Sequence, residues 1–271
     1  MLISRPMRIL LLVMTALVLV YLYLPLIVIA VLSFSRSKAF IWPPPGLSLH
    51  WWRVTQHESG PRHAFVTSLK VAAAATGLAL VLGSMVAYAV QRFRFFGRDS
   101  VSLVVVLPIA LPGIVTGVAL NTAFRQAGVH LGYLSVIVAH ATFCIVVVFN
   151  NVVARLRRLA PNVDEASADL GADLFQTFRY VTFPLVRSAL LAGGLLAFAL
   201  SFDEIVVTTF TAGPGMQTLP QWIFNNMFRP NQLPTVNVVA VAVIVLSIVP
   251  VYLAQRITTD PTGGLTRDEM T

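Results

Sequence analysis

Six long apolar runs divide this sequence, and each is long enough to cross a lipid bilayer as a helix. Crossing the hydrocarbon layer takes about 20 apolar residues in helical form, because no water is present there to satisfy a broken backbone hydrogen bond. The runs cover residues 9–32, 65–90, 101–124, 133–153, 188–211 and 236–257, each bounded by arginine, proline or polar clusters. Composition agrees: 57% of the 271 residues are hydrophobic and 11% charged, whereas a soluble domain carries about 25% charged residues. These features exclude a water-soluble core and predict an all-α, polytopic membrane bundle, with a single transmembrane domain over residues 1–271. Arg5 and Arg8 precede the first run as they would in a signal peptide. Its apolar stretch is too long for that, and no A-x-A-like cleavage site follows, so it reads as an uncleaved first helix.

The net charge of +8 comes from 19 cations against 11 acids, and all the cations except Lys38 and Lys70 are arginine. They cluster in the short segments between apolar runs, which is a topology signal and not a nucleic-acid footprint. With the N-terminus in the cytoplasm, twelve cations fall in inner segments and six in outer ones. That bias puts both termini inside, with Lys70 reaching from early in the second span to the headgroups. The lone cysteine, Cys144, excludes an intrachain disulfide and is expected to pack as a small hydrophobe.

Several spans are patterned for close helix contact. The second carries Ala73-xxx-Gly77, Ala79-xxx-Gly83 and Gly83-xxx-Ala87, which let backbones approach. The third contains Pro108 and Pro112, with Gly117 beyond. Prolines four apart predict a kink, which suits either a water-lined path or an ordinary bent packing helix. Outside the membrane, residues 40–52 hold Trp42, three prolines, Trp51 and Trp52, the make-up of an interfacial aromatic belt. Residues 219–229 predict a short helix lying flat at the interface, with Leu219, Trp222, Ile223 and Met227 on one face and Gln221, Asn225 and Arg229 on the other.

The longest inner connection, residues 154–187, is the only one dense in both charge signs. Asp164, Glu165, Asp169 and Asp173 fall within ten residues of one another. Pro161 opens the stretch and Asn162 is placed to cap a short helix, which Gly171 interrupts. A second short helix over 174–182 is expected to stop at Pro184. Small residues at the bend leave room for another surface, although a solvated amphipathic loop would read the same. The stretch Glu165-Ala166-Ser167-Ala168-Asp169-Leu170-Gly171-Ala172, followed by Phe183-Pro184, resembles the EAA loop of ABC importer permeases. It departs mildly from that pattern at Ser167 and Phe183. The proline-rich third span and Ala199-Leu200-Ser201-Phe202-Asp203-Glu204-Ile205-Val206-Val207 resemble spermidine/putrescine-type permeases, nearer the second of their two permease subunits than the first.

That resemblance implies a type I importer (MetI-like) permease fold in a bacterial inner membrane. It implies four kinds of partner: a second homologous permease, two copies of a cytoplasmic ATPase, an external solute-binding protein and the lipid bilayer. Asp164, Glu165, Ala166, Ser167, Asp169, Gly171 and Ala172 are the candidate ATPase-coupling residues. The resemblance leaves the solute open among polyamines and related amino-acid-like amines.

No catalytic set emerges from the sequence. His50, His57, His63 and His130 fall in outer segments without metal-ligand spacing, and His140, inside the fourth span, reads as a hydrogen-bonded packing residue. There is no G-x-x-x-x-G-K-[ST] loop, so ATP and Mg²⁺ would be bound by a partner and no cofactor is expected in this chain. Asp203 and Glu204 are the sharpest anomaly. An acid near the bilayer centre costs roughly 2.5–3.5 kcal/mol, and neighbours on a helix diverge by about 100°, so the two are expected to face different targets. Ser201, Phe202, Asp203 and Glu204 are the candidate pathway residues, although a buried pairing of the acids with Arg or with backbone donors would also account for them. A stand-alone cation channel or secondary carrier would also explain these acids, but not the Glu165–Gly171 loop.

Overall fold

The computed structural model describes residues 4–159 and 162–259. It is helical throughout its ordered elements: α1 (Arg5–Leu32), α2 (His50–His57), α3 (Ser59–Arg92), α4 (Arg98–Ala110), α5 (Gly113–Gln126), α6 (Tyr133–Leu156), α7 (Val163–Asp169), α8 (Leu174–Thr177), a π-helical turn (Phe178–Thr182), α9 (Phe183–Asp203), α10 (Val206–Thr211), α11 (Leu219–Asn226) and α12 (Leu233–Thr259). The all-α expectation holds. Among the described residues, four segments are long and apolar enough to cross a membrane on their own: α1, α3, α6 and the stretch Leu174–Asp203. The pair α4 and α5 brings the number to five if it is counted as one broken span. The last expected span lies within α12, whose stretch to Ile248 is a shorter apolar helix.

The third expected span is not one kinked helix. It is two helices meeting at 109°. Pro112 sits at the N-cap of α5 and Leu111 is extended at the C-cap of α4. A proline cannot donate to the preceding turn, and it disfavours helical backbone in the residue before it, so the chain leaves the helix at Leu111.

The described residues form two compact units, one of the residues up to Arg62 with Trp222–Val249, the other of His63–Gln221 with residues 250–259. In the first, α1 is exposed along nearly its whole length and turns buried only at Leu32. A helix apolar on all sides is at home in lipid or against another subunit. Past its end, Ser35 and Leu47 form a single bridge, and Lys38 lies over the Trp51 ring at 6.0 Å. Phe40, Ile41 and Trp42 are exposed, as expected of an interfacial segment. Thr235 donates to Glu58 at 3.3 Å.

The second unit is built around α6, whose buried residues surround the helix. Ala79 and Ala87 of α3, Cys144, Val148 and Val152 of α6, and Val186 and Ala197 of α9 pack in one cluster. Gly83 lets α3 approach α6 closely: a β-carbon there would stand 2.9 Å from the Ile145 carbonyl. The Ala79–Gly83–Ala87 stripe therefore packs inside the unit, while Ala73 and Gly77 face outward. Cys144 is buried and its thiol donates to the Ala197 carbonyl at 3.3 Å. The expected faces of the 219–229 helix hold only in part. Leu219 and Trp222 are buried, but so is Gln221, which donates to Thr209 and accepts from Thr218 N–H, and Met227 is exposed.

Candidate functional site

The structure corrects the geometry assumed for the two acids of the fifth span. The helix does not continue through them. Asp203 is the last residue of α9, Glu204 is extended with ψ 123°, and α10 begins at Val206. The 100° divergence expected of helical neighbours therefore does not apply. Glu204 is half-buried, and its carboxylate accepts the Val207 N–H at 2.9 Å. The opening amides of a helix have no partner within it, and an acid placed there supplies both an acceptor and favourable charge. The Asp203 side chain is exposed on the chain and makes no hydrogen bond or ion pair with another described residue.

The other two candidate pathway residues have other surroundings. Phe202 stacks on Phe198 at 6.0 Å and meets Phe65 edge-on at the same distance. Ser201 is buried and its hydroxyl lies 2.8 Å from His140 Nδ1. The opposite ring nitrogen of His140 lies 2.8 Å from Thr208 Oγ1. His140 is thus a hydrogen-bonded packing residue, as expected, but its two partners lie on opposite sides of the helix break. The short α10 is tied further at its C-terminal end. Asn121 of α5 donates to the Phe210 carbonyl, and Ser135 of α6 donates to the Thr211 carbonyl at 2.8 Å. His140 and Ser201 stand out in the sequence, but Asn121, Ser135 and Thr208 do not. Their pairing depends on helices far apart in the chain.

The second candidate set lies at the inner loop. Residues 160 and 161, including Pro161, fall outside the described residues, as does the side chain of Asp164. Helix α7 ends in a paired-bond turn: Gly171 N–H bonds to the Ala168 carbonyl at 2.8 Å and Ala172 N–H to the Ser167 carbonyl at 3.2 Å. This arrangement needs left-handed backbone just past the helix, and Gly171 supplies it with φ +85°. Asn162 makes no side-chain cap. Asp173 does, accepting Gln176 N–H at 2.7 Å while the Gln176 side chain accepts Asp173 N–H at 3.0 Å. Ser167, which departs from the EAA pattern, is buried and hydrogen-bonded to Thr177 at 3.0 Å, so it joins α7 to α8.

Glu165, Ala166 and Asp169 are exposed and Ala172 is half-buried. Beside them Leu170, Leu174 and Phe175 are 89%, 70% and 67% exposed. Such apolar exposure next to acids is costly in water unless another surface covers it. Pro184 does not stop the second short helix, contrary to expectation. It occupies the first turn of α9, where its missing N–H costs little, and the five-residue π turn before it carries the chain into the span. Arg155 Nε donates to the Leu185 carbonyl at 2.8 Å at this junction.

Comparison with known proteins follows the same lines. A family model described as "Binding-protein-dependent transport system inner membrane component" matches residues 79–259. The chain is 36% identical over 223 residues to the spermidine/putrescine transport system permease protein PotC of Escherichia coli (strain K12), covering 82% of this chain and 84% of that one. It is 32% identical over 222 residues to the putrescine transport system permease protein PotI of the same organism, covering 79% of this chain and 78% of that one. Among solved structures, a bacterial ABC transporter involved in the import of the acidic polysaccharide alginate superposes with a TM-score of 0.71. The match covers 97% of this chain and 99% of that one at 18% identity, a likeness of fold.

Proposed function

The chain belongs to the family of binding-protein-dependent transport system inner membrane components, and from that membership we propose that it forms half of the membrane pathway of an ATP-driven importer for a small amine. Spermidine or putrescine stands first and a zwitterionic amine such as an ω-amino acid second. On this reading residues 1–271 act as one permease domain with both termini inside. It works with a second permease, two copies of a cytoplasmic ATPase that bind ATP and Mg²⁺, and an external solute-binding protein. Membership in an importer family supports this over a stand-alone channel or carrier.

The observation that carries the solute class is the exposed carboxylate of Asp203 at the broken end of α9, inside an apolar span. A cationic solute passing there would offset part of the penalty of an ionised acid in the membrane. The two relatives named above are described as carrying polyamines. Coupling is read from the other end of the same element. From Leu174 to Asp203 the chain is one span of 30 residues, about 45 Å at 1.5 Å per residue. An ATPase surface gripping Glu165, Leu170 and Phe175 would therefore move a rod that ends at Asp203. Closure of the ATPases on ATP would tilt this rod and open the path outward, and hydrolysis would reset it.

The test is uptake by the complete importer in proteoliposomes, comparing Asp203→Asn with Glu204→Gln. The glutamine keeps an oxygen for Val207 N–H, so that variant should transport nearly normally. Asp203→Asn should slow uptake of the cation by about 10-fold, on the order of 1.4 kcal/mol, with unchanged assembly and unchanged capture by the external protein. Wild-type uptake by Asp203→Asn, or an anionic or sugar solute, would end the amine reading.

A further inference from the structure

The break in the fifth span is bridged by a side chain from another helix. His140, fully buried on α6, reaches Ser201 near the end of α9 with one ring nitrogen and Thr208 within α10 with the other, both at 2.8 Å. The proton arrangement follows from the partners. The Thr208 hydroxyl spends its single proton on the Glu204 carbonyl at 2.9 Å, so toward the ring its oxygen can only accept. An uncharged imidazole then carries its proton on Nε2 and accepts at Nδ1 from the Ser201 hydroxyl. One directional chain of hydrogen bonds runs from Ser201 through His140 and Thr208 to the Glu204 backbone, spanning the non-helical residues from both sides.

Without a bridge, the break is poorly defended. Restoring helical backbone at Glu204 and Ile205 would regain main-chain hydrogen bonds, and in a lipid environment unmade backbone bonds are expensive. The bridge opposes this, because Ser201 and Thr208 are seven residues apart and the ring holds both at their present separation. We propose that His140 is a positioning residue of the transport path: it holds the fifth span broken so that Asp203 stays at an exposed helix end. It acts through Asp203 and touches no solute. This rests on the reading of Asp203 as a pathway carboxylate, so the experiment has one readout that does not depend on it.

In a Cys144→Ser background, spin labels at Leu196→Cys on α9 and Thr209→Cys on α10, both exposed positions, report the separation across the break in the importer in nanodiscs. His140→Leu removes both hydrogen bonds and should shift the distance distribution. His140→Gln retains a donor and an acceptor and should return it toward wild type. In the unlabelled importer, His140→Leu should lower cation uptake at least 10-fold at equal membrane content and equal ATPase association, with His140→Gln recovering most of it. In an Asp203→Asn background the leucine should add less than a 3-fold loss, because both changes act on one carboxylate. Coincident distance distributions for wild type and His140→Leu would overturn the proposal. So would a shifted distribution with wild-type uptake. If Asp203→Asn alone transports normally, the amine reading falls, while the distance and uptake of His140→Leu still decide whether His140 positions the break.

Discussion

Gly171 has two separable reasons to be glycine, and one pair of substitutions tells them apart. Its φ of +85° closes the turn after α7, and a β-carbon there would meet nothing within 4 Å in this chain. Gly171→Ala therefore meets no internal clash but must hold left-handed backbone, which costs about 1–2 kcal/mol for an ordinary L-residue. That is a roughly 5–30-fold loss in the population of the correct turn. Asparagine tolerates this backbone, so Gly171→Asn should leave the turn nearly intact while placing a side chain in the open space. If that space is where an ATPase surface approaches, Gly171→Asn will still lose ATPase co-purification and uptake, despite normal insertion and expression. Gly171→Ala will lose both as well. Wild-type association and uptake by Gly171→Asn would show that the glycine serves the turn alone, and the docking argument at this position would be refuted.

Glu165 is exposed beside the same turn, so on the proposed docking Glu165→Lys should abolish ATPase co-purification without altering membrane content, because the reversal removes the acid that a complementary surface would engage. Ser167→Ala restores the family pattern but leaves the Thr177 hydroxyl buried and unpaired. A loss of about 1–3 kcal/mol in thermal or denaturant stability is expected, largely recovered in Ser167→Ala with Thr177→Val. Gly83→Ala should destabilise the solubilised subunit by about 1–3 kcal/mol, because the added carbon collides with the Ile145 carbonyl. Gly77→Ala has open space and should stabilise it by up to about 1 kcal/mol.

Much of the fold was legible because hydropathy and helix length answer directly to the bilayer. The starts and ends of helices were less so, and the three prolines show why. Pro108 is accommodated inside α4, Pro112 breaks the third span through 109°, and Pro184 rides in the first turn of α9. The residue is the same each time. What differs is the place each takes in its helix: Pro108 lies near the C-terminal end of α4, Pro112 at the N-cap of α5 and Pro184 where α9 opens. The turn after α7 was legible as an acid-and-glycine pattern. The hydrogen bond that makes Ser167 useful was not, because it needs Thr177 brought back against α7.

The adjacent acids are the most informative case. Read as a helix, Asp203 and Glu204 carry equal penalties of roughly 2.5–3.5 kcal/mol near the bilayer centre, and nothing distinguishes them. The break separates their fates. Glu204 caps α10 through Val207 N–H, so its charge is held where a helix start favours it. Asp203 ends α9, where the helix dipole disfavours a negative charge, and no described residue of the chain pairs with it. An acid disfavoured by its own helix and unpaired by its own chain has to be stabilised from outside, which on the proposed function means water in an open path, the second permease or the cation in transit. The same break that relieves Glu204 leaves Asp203 available, so on the proposed reading holding the span broken is the structural condition for presenting this carboxylate to a solute.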